Sequence, residues 1–169
     1  MSRAFVNEDA GKDRPDLPDL PLSAHPNFVT PRGLADLRAR LAARQCELAA
    51  LRARAERLDK LPEAAAERDI RWLEARIASA IPVDPARHDL TEVAFGLRVT
   101  VADEDGRETT YEIVGEDESD ATRGRIAPHS PLARALMGAR VGDEVTWPRP
   151  AGALSLEILS IAHADNPPA

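Results

Sequence analysis

The chain has 169 residues, 43% of them hydrophobic and 30% charged, with a formal net charge of −7. That is the balance of a globular protein, and the length allows one domain or two small ones. The aromatics are few (Phe5, Phe28, Trp72, Phe95, Tyr111 and Trp147), which argues against an aromatic-lined ligand pocket and against a stacking platform for single-stranded nucleic acid.

The single cysteine, Cys46, excludes an internal disulfide and a cysteine zinc site. No apolar run approaches the roughly 18 residues of a membrane span, and the first residues lack the apolar core of a signal peptide. The expectation is a soluble, cytoplasmic protein with no membrane partner.

Charge is divided unevenly. Residues 1–29 carry three bases and five acids, residues 30–80 eleven and eight, and residues 86–169 eight and fifteen. A mildly basic segment followed by an acidic one suggests two modules with different surfaces, although a +3 balance also fits a solvated helix face.

In chain order, residues 1–29 read as a flexible, extended tail interrupted by Pro15, Pro18, Pro21 and Pro26. Thr30-Pro31 is a helix start, with Thr as cap and Pro at the first helical position. Leu34, Leu41, Leu48 and Ala55 then repeat every seven residues, as do Leu37, Leu51 and Leu58, with Arg44 as the interruption. This coiled-coil seam predicts a helix of roughly 27 residues, about 40 Å long. Pro62 breaks it, and a second helix over 63–80 carries the seam Ala66, Ile70, Leu73, Ile77 and Ala80. Two amphipathic helices with a short connection predict an antiparallel hairpin over 30–81. A proline-bearing linker follows over 82–90.

Beyond residue 90 the period changes to two. Val93, Phe95, Leu97, Val99 and Val101 alternate along a half-buried strand. Asp105-Gly106 supports a hairpin turn, and a strand over 108–114 answers it. An acidic loop over 116–120, a short strand over 124–127, a helix capped by Ser130 and stopped by Gly138, and strands over 143–147 and 154–161 complete the chain. The fold class is therefore α+β: a helical hairpin, then an antiparallel sheet domain with one short helix over 91–165.

Several stretches carry a resemblance. Ile113-Val-Gly-Glu-Asp-Glu-Ser-Asp120, Ser130-Pro-Leu-Ala-Arg-Ala-Leu-Met-Gly138 and Gly142-Asp-Glu-Val145 follow one another in the sheet module. Thr30-Pro-Arg-Gly-Leu-Ala-Asp-Leu37 and Leu73-Glu-Ala-Arg-Ile77 stand in the two helices. Together they resemble the Gre family of bacterial transcription elongation factors, over roughly residues 30–165.

The resemblance implies an FKBP-like C-terminal domain that docks on RNA polymerase near its secondary channel, and a hairpin that enters the channel. It places His129, Ser130 and Pro131 in the polymerase-contacting loop, although His129 departs from the family's usual residue. It also implies that acidic residues at the hairpin tip help hold the second Mg²⁺ of the polymerase active centre, where hydrolysis of backtracked RNA is driven. The chain would then be no enzyme and have no cofactor of its own.

The family's tip motif D-L-x-E-N-A-E-Y is absent. Leu58-Asp-Lys-Leu-Pro-Glu-Ala-Ala-Ala-Glu-Arg-Asp69 stands in its place, with Asp59 and Glu63 as the nearest metal-ligand substitutes. Equally, Asp59 could cap a turn and Glu63 complement the positive end of the second helix. The arms are also shorter than in cleavage-active members, so a regulator that occludes the channel without cleavage is an alternative, as is an interaction module for another enzyme.

Other residues have plain readings beside functional ones. Arg52, Arg54 and Arg57 suit contact with nascent RNA, DNA or the channel wall, or else a solubilising face paired with Asp36, Glu47 and Glu56. Cys46 reads as an inert thiol on the outer helix face. Histidines 25, 88, 129 and 163 lack metal-ligand spacing, and Ser130 beside His129 reads as a helix cap before it reads as a nucleophile. A prolyl isomerase does not follow from a fold, and Phe95 and Tyr111 fall on core faces.

Overall fold

Thr30 and Pro31 open the first helix as their chemistry predicts. The Thr30 hydroxyl accepts from Gly33 N–H at 3.0 Å, and the Thr30 carbonyl takes the first intrahelical bond, from Leu34 N–H at 2.9 Å. The computed structural model describes residues 17–54 and 59–164. They form β1 (Phe28–Val29), α1 (Pro31–Arg52), α2 (Leu61–Ala78), β2 (Ile81–Pro82), β3 (Leu97–Asp103), β4 (Glu108–Ile113), β5 (Arg125–Ile126), α3 (Pro131–Leu136), β6 (Glu144–Trp147) and β7 (Leu154–His163). The mixed α+β architecture expected from the periodicities is the one observed. The chain divides into two compact units, Leu37–Ala78 with the segment ending at Leu22, and Ser23–Asp36 with the chain from Ser79 onward.

In the helical unit the seven-residue seam is the buried line of α1. Leu37, Leu48 and Leu51 are buried and Leu41 and Arg44 partly so, while their neighbours are exposed. Leu48 and Leu51 pack with Ala66 and Ile70. Arg52 meets Glu67 at 2.6 Å, Arg44 meets Asp69 at 3.0 Å, and Arg40 lies over the Trp72 ring at 5.7 Å. Descending numbers on one helix against ascending ones on the other make the pair antiparallel. α1 is 22 residues long where about 27 were expected; Arg54 N–H turns back to the Leu51 carbonyl in a tighter loop at the end of the helix. Ala55, Arg57 and Leu58, which the seven-residue pattern or the charge pattern singled out, lie outside the described residues.

Residues 17–29, expected as part of a flexible tail, make defined contacts. Asp19 pairs with Arg71 at 2.7 Å, and the Pro21 carbonyl accepts from the Trp72 indole at 3.2 Å. Trp72 also lies 6.0 Å from the Arg76 guanidinium. A few residues later, β1 pairs in parallel with β2, Phe28 opposite Ile81 and Val29 opposite Pro82. Ile81 N–H donates to the Asn27 carbonyl at 2.8 Å and Val83 N–H to that of Val29 at 2.9 Å. The start of the expected linker is thus a strand, and Pro85–Arg87 is a short 3₁₀ turn capped by Asp84. Paired strands of two residues leave no period in the sequence to read.

The sheet of the second unit has the order β5-β4-β3-β7-β6, antiparallel except for the short β4–β5 pairing. Leu97, Val99 and Val101 of β3 are fully buried, as the alternation predicts. They pack with Ile113, Leu132, Leu136, Leu156 and Ile158 into one core. β3 starts at Leu97, four residues after Val93, where the alternation begins. Gly96 takes φ +82° and donates to the Ile113 carbonyl at 2.6 Å, while Val93 exchanges backbone bonds with Gly138 and Ala139 instead of a strand. The Asp105-Gly106 turn forms as predicted: Gly106 takes φ +74°, and Asp103 Oδ1 accepts from the N–H groups of Asp105 and Arg107.

Candidate functional site

The loop entering α3 begins with Ser130. Its backbone is extended, and its Oγ accepts from Ala133 N–H at 3.2 Å, which is the capping role expected from the Ser-Pro pair. Pro131 follows on the surface, and Leu132, Ala133 and Leu136 anchor the helix in the core. His129 turns to Glu116 and His25 instead of Ser130. Its Nε2 lies 3.3 Å from Glu116 Oε1, and its ring stacks on His25 with centroids 4.2 Å apart and planes 11° from parallel. Ser23 Oγ also donates to Glu116 Oε1, at 2.9 Å. A Ser–His nucleophilic pair is therefore not assembled. The loop presents an edge made of His129, Pro131 and Glu116.

The acidic stretch 116–120 is not a uniform charged face. Glu118 is buried, and its carboxylate accepts from Thr30 N–H (3.1 Å), the Thr30 hydroxyl (2.7 Å) and Gly115 N–H (3.3 Å). Beside it, Arg32 pairs with buried Glu112 at 2.7 Å. Asp120 caps the 3₁₀ turn Ala121–Arg123, accepting from Thr122 N–H and its hydroxyl. The Thr122 hydroxyl bond, aided by Arg123, holds the Asp120 carboxyl below its ordinary range.

Glu118 is the residue that sequence reasoning missed. It joins two of the motifs, Thr30-x-x-Gly33 and the acidic stretch, which lie 88 residues apart. Gly33 is required there: a Cβ would come within 2.0 Å of the Glu118 Cδ. The available signal was the coincidence of a cap-and-glycine motif with an acidic stretch, which does not single out Glu118 among its four acids.

The candidate tip ligands are separated by their environments. Asp59 is exposed, and its Oδ1 caps the start of α2 by accepting from Leu61 N–H at 2.9 Å. Glu63 is only 4% exposed and already engaged with a partner. A hard divalent cation needs carboxylate oxygens that it can reach, and Glu63 does not offer them. Asp59 thus takes the capping role, and Glu63 lies buried in the first turn of α2. Among the described residues, no cluster of three or more His, Cys, Asp or Glu side chains is arranged to hold a metal ion.

Of the candidate arginines, Arg52 is committed to Glu67, Arg54 is exposed, and Arg57 lies outside the described residues. Cys46 is exposed on α1, as expected. No helix among the described residues is long and apolar enough to cross a membrane.

Residues 87–163 match the family model for the C-terminal domain of the GreA/GreB transcription elongation factors. The chain is 45% identical over 98 residues to transcription elongation factor GreB of Neisseria meningitidis serogroup B, covering 57% of this chain and 60% of that protein. It is 42% identical over 92 residues to transcription elongation factor GreA of Hyphomonas neptunium, covering 54% and 59% respectively. The crystal structure of Gfh1, GreA factor homolog 1, from Thermus thermophilus aligns with a TM-score of 0.38 at 22% identity, over 81% of this chain and 99% of that one. A GreA/GreB factor structure from Nitrosomonas europaea aligns with a TM-score of 0.41 at 23% identity, over 81% and 99%. The matched region spans about three fifths of the length of the curated relatives. The likeness to the GreA/GreB transcription elongation factors thus lies in the C-terminal part of the chain, over residues 87–163.

Proposed function

We propose that the chain is a Gre-like regulator of transcription elongation that docks on bacterial RNA polymerase through its sheet domain and inserts its helical hairpin into the secondary channel. The observation that carries the reading is the match over residues 87–163. The docking surface is the loop His129–Pro131, whose edge is held by the Ser130 cap and by Glu116. Pull-down with purified polymerase tests it. Binding is expected at micromolar protein, and it weakens in Pro131→Ala, a change on the surface beside the core-anchored helix. No binding at that concentration refutes the proposal.

Within this reading the chain occupies the channel without delivering a metal ion. The supporting observation is the burial of Glu63 and the capping role of Asp59. Placement of reacting groups is sensitive to ångström-scale error, and a helix of 18 residues reaches only about 27 Å. Contacts to nascent RNA or the channel wall fall to exposed Arg54 before Arg52. A stalled, backtracked elongation complex distinguishes the mechanisms. Occlusion leaves RNA cleavage at or below the polymerase's own rate, whereas stimulation abolished by Asp59→Ala, with Glu63→Gln as the companion variant, assigns the tip a metal-binding role.

A further inference from the structure

The stretch Ser23–His25 precedes everything the family match covers, yet it reaches the candidate docking edge. Ser23 Oγ donates to Glu116 Oε1 at 2.9 Å and His25 stacks on His129 at 4.2 Å. The His25 N–H folds back to Ser23 Oγ at 3.3 Å, so the two contacts form one clip. Just downstream the chain is pinned: Asn27 is buried and donates to Ser79 at 3.1 Å, and β1 pairs with β2. The clip itself is lightly held. Ala24 and His25 are exposed, and the side chains of His129 and Glu116 each keep 30% of their surface open. Surface polar contacts of this kind contribute little and open readily.

We propose that Ser23–His25 is a displaceable cover on the Glu116–His129 edge, and that a polymerase segment bearing an arginine displaces it on docking. The inference rests on the docking reading given under Proposed function. A guanidinium suits the vacated edge because its plane stacks on an imidazole while its N–H groups donate to a carboxylate. It thereby replaces His25 and Ser23 together. The cover sets how tightly the factor docks without altering the docking loop itself.

The test compares four full-length chains: wild type, Ser23→Ala/His25→Ala, Glu116→Gln, and the triple variant. Imidazole proton spectra of the free chains come first. The His129 resonances must move when Ser23 and His25 are truncated, and unmoved resonances overturn the contact. Affinity for purified RNA polymerase follows. Truncating the cover is expected to tighten binding about three- to tenfold, the scale of one or two surface contacts, and Glu116→Gln is expected to remove that gain in the triple variant. Equal or weaker binding by the truncated chain, with wild type binding, overturns the cover and leaves the docking reading intact. Absence of binding by all four chains overturns the docking reading and the cover with it. Binding by the truncated chain alone supports both.

Discussion

Glu118 shows how one side chain can define a motif whose meaning is invisible locally. Its carboxylate closes three hydrogen bonds in a buried setting, two of them to Thr30. Glu118→Ala is expected to destabilise the sheet unit by about 1–3 kcal/mol in chemical denaturation, the cost of leaving buried donors unpaired. Gly33→Ala is expected to cost a similar amount, about 1–3 kcal/mol, by overpacking the same carboxylate. Asp120 makes a pH prediction. Its folded pKa is depressed, so the turn it caps gains stability above the ordinary carboxylate range and loses it as pH falls through the depressed value. The protection factor of the Thr122 amide, its exchange corrected for the intrinsic pH dependence, is expected to fall there, and Asp120→Asn is expected to remove the transition. Both roles were partly readable: acidic residues were counted in this stretch, but a count does not distinguish a buried acceptor from a turn cap.

At the level of elements, the regular ones were legible because their periods are local. The leucines of α1 recur every seven residues and become its buried line, and the alternation in β3 becomes its core face. Ser130 and Pro131 announced α3, and the Ser130 cap forms. Ser130→Ala is therefore expected to cost about 1 kcal/mol of stability, read as a lowered denaturation midpoint. β1 and β2 were not legible. They contribute two residues each, pair across more than fifty intervening residues, and include a proline, so neither length nor alternation marks them. The early start assigned to β3 failed for a related reason: Val93 and Phe95 keep the alternation and are buried, but Gly96 redirects the backbone before the ladder begins.

At the level of the whole molecule, the division into a helical unit and a sheet unit predicts unequal stability. Among the described residues, the helical unit relies on a thin seam that includes the cluster Leu48, Leu51 and Ala66 and buried Leu37 and Leu73, against a cluster of thirteen buried residues in the sheet unit. Leu51→Ala is expected to lower helical-unit stability by about 2 kcal/mol. Hydrogen exchange should accelerate along α1 and α2 while β3, β4 and β7 keep their protection; equal acceleration everywhere would mean that the units unfold together. The uneven charge along the chain matches the same division, with arginines concentrated on the hairpin and acids on the sheet unit, many of them used in caps and buried pairs.

Composition, periodicity and capping chemistry were sufficient for the α+β class, the hairpin, the Asp-Gly turn and the short helix, because each is written in neighbouring residues. Long-range placement was beyond them. Whether Glu63 reaches solvent, whether Glu118 serves Thr30, and whether His25 meets His129 depend on which distant surfaces share a position. That is settled by packing, where burying apolar area and satisfying every buried polar group must be achieved together. The tip carboxylates Asp59 and Glu63 make the difference plain: four residues apart in the sequence they look alike, and in the folded chain one caps a turn while the other is withdrawn from water.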